Sequence, residues 1–129
     1  MNSGPRKIHG VSRRLPVMPQ SLQVLTLALE LIDAIAPLTQ PIALRDRALV
    51  DQLRRAAQSI ALNLAESTGH RGGNRRMRFE SALGSVYETR VVLQIAASWG
   101  YVDAADVEPA LTLADRVAAM IWRVLNPKR

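Results

Sequence analysis

The sequence predicts an all-α protein, an antiparallel up-down-up-down four-helix bundle. Apolar residues recur at three- and four-residue spacings over four stretches, strand-like alternation is absent, and the breaks between stretches are short. Composition agrees, since 48% of the 129 residues are hydrophobic but only 4% aromatic, which implies an aliphatic, alanine-rich core. A chain of this length is one domain. It divides into a basic flexible arm over 1–18, a bundle over 19–126 and a basic tail over 127–129.

Residues 1–18, MNSGPRKIHGVSRRLPVM, hold two glycines, two prolines and four cations without apolar periodicity, so the arm is expected to have no core. Helix 1 is expected from Pro19 to Leu38. Positions 22, 25, 29, 32 and 36 form its core stripe, and apolar residues at 24, 27, 28, 31 and 35 extend that stripe around the helix. Such a helix carries more apolar surface than one bundle covers. It predicts self-association, unless the arm or the proline-rich link folds over it. Pro37 and Pro41 each lack a backbone donor, so the helix is expected to break at Thr39 to Pro41.

Helix 2 is expected over about 43–67, with Leu49, Leu53, Ala56, Ile60 and Asn63 along its seam. The stretch TGHRGGN stops it, and Asn74 is a candidate N-cap for helix 3, which runs to about Ser98. Trp99, Gly100 and Tyr101 close that helix. Asp103 or Asp106 caps helix 4, whose start lies between 104 and 109 because Pro109 fits only a first turn or a local break.

Several function classes are set aside by what the chain lacks. Without cysteine there are no disulfides or thiolate metal sites, and His9 and His70 alone do not make a metal site, so neither metal nor other cofactor is expected. The basic start is interrupted by Pro5, Arg13, Arg14 and Pro16, and no run of about 18 apolar residues occurs. A soluble, cytoplasmic protein with no membrane partner is expected. The net charge of +6 points to an anionic partner, nucleic acid before a membrane surface.

A hairpin of helices 2 and 3 centred near 70 and 71 brings Glu66 towards Arg75 and Arg78, Asn63 towards Arg78, and Ser59 towards Ser81 and Ala82. Ser59, Asn63 and Glu66 share one helical face, as do Ser81, Gly84, Ser85 and Glu88, so a polar strip is expected along this contact. Gly84 and the alanines at 56, 57, 61 and 82 are expected to let the two backbones approach. The expected role of Ser59, Asn63, Glu66, Arg78, Ser85 and Glu88 is a hydrogen-bond network that fixes register. Catalysis would need a nucleophile beside a base, and none is present; arginines beside Glu66 would hold it ionised and unsuited to acid work. The protein is not expected to be an enzyme.

The stretch AESTGHRGGNRRMRFE, residues 65–80, puts three glycines and four arginines between two carboxylates. It lacks the lysine and hydroxyl of a phosphate-binding loop and follows no strand. What remains is a helix N-terminus ringed by Arg71, Arg75, Arg76 and Arg78, either an anion site or a solvated turn. Topology favours the first. An up-down-up-down bundle gathers the arm, the turn between helices 2 and 3 and the tail at one end. Residues 1–17, 67–78 and 123–129 together hold eleven cations and no acid, whereas the rest holds six cations and all eleven acids. Candidate phosphate contacts are Arg13, Arg14, Arg71, Arg75, Arg76, Lys128 and Arg129. Trp122 is the only aromatic candidate for stacking there, so backbone contacts should dominate.

SIALNLAES (59–67), GHR (69–71), RF (78–79), ALGS (82–85), Glu88 and WGY (99–101) resemble the four-helix-bundle proteins encoded in intervening sequences of bacterial 23S rRNA genes. That family includes the accessory variability protein of diversity-generating retroelements. The resemblance covers about residues 20–125. It implies a pentameric ring of bundles with a basic surface and, in the retroelement branch, binding to nucleic acid and a reverse transcriptase. The expected function is a non-enzymatic, oligomeric binder of RNA or DNA. The alternative is a scaffold ring that docks a protein partner such as a polymerase.

Overall fold

The computed structural model describes residues 19–69 and 72–128, so Arg13, Arg14, Arg71 and Arg129 lie outside the described residues, as does the expected arm. Among the described residues there are four helices: α1 Gln20–Arg45, α2 Arg47–Ser67, α3 Gly72–Ser98 and α4 Ala104–Leu125. Each packs on its neighbours in sequence, and α4 closes the bundle against α1. The expected all-α four-helix bundle is therefore the fold.

Helix α1 corrects two expectations. It does not break at Thr39 but runs through Pro37 and Pro41 to Arg45, leaving Asp46 as the whole link to α2. A proline inside a helix costs about 3 kcal/mol. Beyond the first ring, however, Leu38 and Ile42 are buried, each worth roughly 1.5–3 kcal/mol. Both rings stay off the core stripe. That stripe is Val24, Leu27, Ala28, Leu31, Ile35, Leu38 and Ile42. The faces are thus exchanged: Val24 and Leu31 are fully buried, whereas Leu22 and Leu29 are 39% and 50% exposed. By length and composition alone α1 could cross a membrane; its apolar stripe here fills the bundle core.

Asp46 starts α2 by accepting the Leu49 N–H at 2.9 Å. Helix α3 begins at Gly72, so Asn74 sits inside it and is not its cap. Its C-terminus closes on Gly100, whose φ of 78° suits a residue without Cβ. There the Gly100 N–H reaches the Ala97 carbonyl and the Tyr101 N–H the Ala96 carbonyl, both at 2.9 Å. These two bonds satisfy carbonyls that the helix end would orphan. Asp103 precedes α4, and the Asp106 carboxylate accepts its backbone N–H at 3.3 Å. Pro109 therefore falls in the second turn of α4. Gly84 faces solvent with nothing near its absent Cβ, so it does not bring α2 and α3 together. Ala56, Ala57 and Ala82 do sit in the core.

Candidate nucleic-acid interface

The topology puts the start of α1, the α2–α3 turn and the end of α4 at one end of the bundle. Phe79, the only phenylalanine, is fully buried and anchors the first turns of α3 there. The Arg75 guanidinium lies 4.8 Å from the centroid of its ring. Arg76 is tied on two sides: Nη1 donates to the Leu125 carbonyl at 3.1 Å, and Nε lies 3.3 Å from Glu80 Oε2. It holds the start of α3 to the last turn of α4, and its charge complements that helix end. Arg123, Lys128 and Trp122 are exposed at the same end. Of the expected phosphate contacts, Arg75, Arg76 and Lys128 are brought to one end of the bundle, and Arg76 already carries an internal load.

Arg78 belongs to the polar strip. Ser85 Oγ donates to Ser59 Oγ at 2.8 Å, and Asn63 Nδ2 donates to Ser59 Oγ and to the Ser59 carbonyl at 3.1 and 2.9 Å. Asn63 Oδ1 accepts Arg78 Nη1 at 3.3 Å, and Arg78 Nη2 lies 3.9 Å from Glu66 Oε1. The expected chain from Ser85 to Glu66 is therefore present, except that Ser59 meets Ser85 and not Ser81 and Ala82, one helical turn away. Glu88 is exposed and outside the strip. Thr89, which the sequence reading missed, is fully buried and donates to the Ser85 carbonyl at 2.8 Å. Beside the strip lies an open groove of about 390 Å³ bordered by Arg55, Gln58 and Leu62.

The opposite end is acidic. Asp46, Asp103, Asp106 and Glu108 gather at the α1–α2 link and the start of α4, where they outnumber Arg45 and Arg47 on either side of Asp46. The Tyr101 hydroxyl donates to Asp46 Oδ2 at 3.3 Å. Partial burial and then the neighbouring Asp46 carboxylate raise the Tyr101 pKa above its ordinary value. Midway, Arg90 Nε sits 2.9 Å from Asp115 Oδ1 and pairs α3 with α4.

These features define the class: an antiparallel four-helix bundle, charged oppositely at its two ends, with a hydrogen-bonded polar strip between α2 and α3. The chain belongs to the 23S rRNA-intervening sequence protein family, whose sequence profile matches residues 20–123. A solved structure from Bacteroides thetaiotaomicron VPI-5482, a protein of unknown function from the S23 ribosomal protein family, is similar to it. The TM-score is 0.73 at 17% identity, over 80% of this chain and 98% of that one. At that identity the likeness shows the fold alone. No curated protein matches significantly.

Proposed function

We propose that this protein is a non-enzymatic, oligomeric nucleic-acid-binding protein whose basic end contacts phosphate backbones. One observation carries the reading: among the described residues Arg75, Arg76, Arg123 and Lys128 lie at one end, whereas Asp46, Asp103, Asp106 and Glu108 lie at the other and outnumber Arg45 and Arg47 there. A field of this kind steers a polyanion to one end. Arg75 and Lys128 supply charge without a carboxylate partner among the described residues, and Trp122, 55% exposed, offers one surface for a base. Oligomerisation draws support from two apolar surfaces, Leu22 and Leu29 on α1 and Tyr87, Val91 and Ile95 on α3. The resemblance to the family favours a pentamer. If the reading is right, nucleic acid co-purifies with the protein at low salt and leaves at high salt. Protein free of nucleic acid at low salt, with no affinity for added RNA or DNA, would reject it.

A second reading rests on α3. Gly84, Tyr87, Val91 and Ile95 form a stripe on the solvent side of this helix, opposite the buried Ala82, Val86, Leu93 and Ala96. A scaffold that docks a protein such as a reverse transcriptase would use this stripe. Its binding would persist at high salt, where phosphate contacts fade.

A further inference from the structure

Two concavities share one groove between α1 and α4. Towards the basic end, a hollow of about 250 Å³ lies between Gln23, Thr26 and Glu30 of α1 and Arg116 and Met120 of α4. Towards the acidic end, one of about 510 Å³ lies between Ala34, Pro37 and Pro41 of α1 and Asp103, Asp106 and Pro109 at the start of α4. On α1 the two linings continue each other at three- and four-residue steps, so they mark one face of the helix. Each of the three proline rings lacks the N–H that would reach the carbonyl four residues earlier. The carbonyls of Asp33, Pro37 and Ala105 therefore lose their usual helical donor. The two linings together hold three carboxylates, Glu30, Asp103 and Asp106, against one cation, Arg116, in a chain whose net charge is +6. Their complement is an extended segment, whose backbone N–H groups are unused, with cations beside aliphatic residues.

We propose that this groove receives the chain's own amino-terminal segment, running back from Pro19 with Arg6 and Lys7 against Asp103 and Asp106, and Ile8 against the proline wall. Charge supports the choice, because residues 1–18 hold Arg6, Lys7, Arg13 and Arg14 and no carboxylate. Reach supports it too. Pro41, at the far end of the groove, stands about 31 Å along α1 from Gln20. Residues 7–18 span about 40 Å when extended, which covers that length and the reversal at Pro19. Arg13 and Arg14 reach only about 20 Å from Pro19, so they stay in the basic half, where the phosphate-binding reading needs them. The tether selects the chain's own groove over that of a second copy. A segment and a site joined within reach meet at an effective concentration on the order of millimolar, which a separate chain at micromolar concentration does not match.

The absence of cysteine allows a direct test by disulfide trapping. Full-length His9→Cys/Ala34→Cys is oxidised mildly at low salt without nucleic acid, beside His9→Cys/Gln58→Cys as the control. Gln58 borders a hollow with Ile32 and Ala36, so it stands at the height of Ala34 on the other flank of α1. The expected result is several-fold more intrachain disulfide for the Ala34 pair than for the Gln58 pair. That excess should vanish in about 1 M salt or with Arg6→Gln/Lys7→Gln. Equal yields for the two pairs, or an excess that survives the loss of both cations, would overturn the proposal. So would a disulfide formed only between chains when His9→Cys and Ala34→Cys proteins, tagged to differ in mass, are mixed, because a second copy would then be the occupant. No outcome involves nucleic acid, so a failure here leaves the phosphate-binding reading standing.

Discussion

Removing the Ser59 hydroxyl tests whether the polar strip sets register or merely decorates the surface. In Ser59→Ala, Asn63 keeps its 2.9 Å bond to the Ser59 carbonyl but loses the 3.1 Å bond to the hydroxyl, and Ser85 loses its 2.8 Å acceptor. Two part-buried bonds at about 0.5–1.5 kcal/mol each, with water replacing some of the loss, give about 1–2 kcal/mol. Glu66→Ala should cost less. Glu66 and Arg78 approach only to 3.9 Å, with side chains 56% and 36% exposed, a geometry worth about 0–1 kcal/mol. Urea denaturation of parent, single variants and Ser59→Ala/Ser85→Ala would measure both, and the double variant should show a coupling of about 0.5–1.5 kcal/mol. High salt should erase most of the Glu66→Ala effect and leave the Ser59→Ala effect intact. If Glu66→Ala proves costlier than Ser59→Ala, the strip is held by its ion pair and this reasoning fails.

Gly84→Ala should stabilise the fold by about 1 kcal/mol, because the added Cβ meets nothing within 4 Å and glycine is a poor helix former; a loss of stability would mean that another copy packs on α3 there. In a Tyr87→Phe background, absorbance titration reports Tyr101 alone and should give a pKa above the ordinary 10.0, lowered in part by Asp46→Asn. The raised value means that the neutral phenol stabilises the fold at neutral pH and that this contribution is lost as pH rises through the folded pKa; a midpoint at or below the ordinary value would contradict the Tyr101–Asp46 contact. Light scattering at micromolar concentration should give a multiple of 14.2 kDa, with five copies expected from the family resemblance, and a monomer throughout that range would reject self-association.

Helix α2 could be read from sequence because it has one apolar side, and Leu49, Leu53, Ala56 and Ile60 of its expected seam are buried. Helix α1 is apolar on two sides, and both stripes satisfy the 3.6-residue period. Only Leu38, at the end of the expected helix, and Ile42, beyond its expected break, distinguish the stripe that is buried. Helix α3 posed the same problem through Tyr87, Val91 and Ile95. In the candidate site, Asn63–Arg78 follows from equal distance to the turn, and Glu66 reaches Arg78 from a position three residues nearer that turn. Ser59–Ser85 escaped because the register differs by one helical turn from that of a hairpin centred on 70 and 71. The bond from Arg76 to the Leu125 carbonyl joins residues far apart in sequence through a backbone atom. No side-chain pattern announces such a partner. The same holds for Tyr101 and Asp46, which meet across two different links.

Whether the basic end grips phosphates is decided by a salt titration of labelled single-stranded RNA. The variant to compare with the parent is Arg71→Gln/Arg75→Gln/Lys128→Gln, which spares Arg76 and so preserves its bond to α4. Arg54→Gln/Arg55→Gln, nearer the middle of α2, is the control. The triple variant should bind unrelated sequences more weakly, with a log–log salt slope shallower by roughly 0.7 per lost contact and little change in the control. An oligomeric triple variant that keeps the parent's affinity and slope would contradict it.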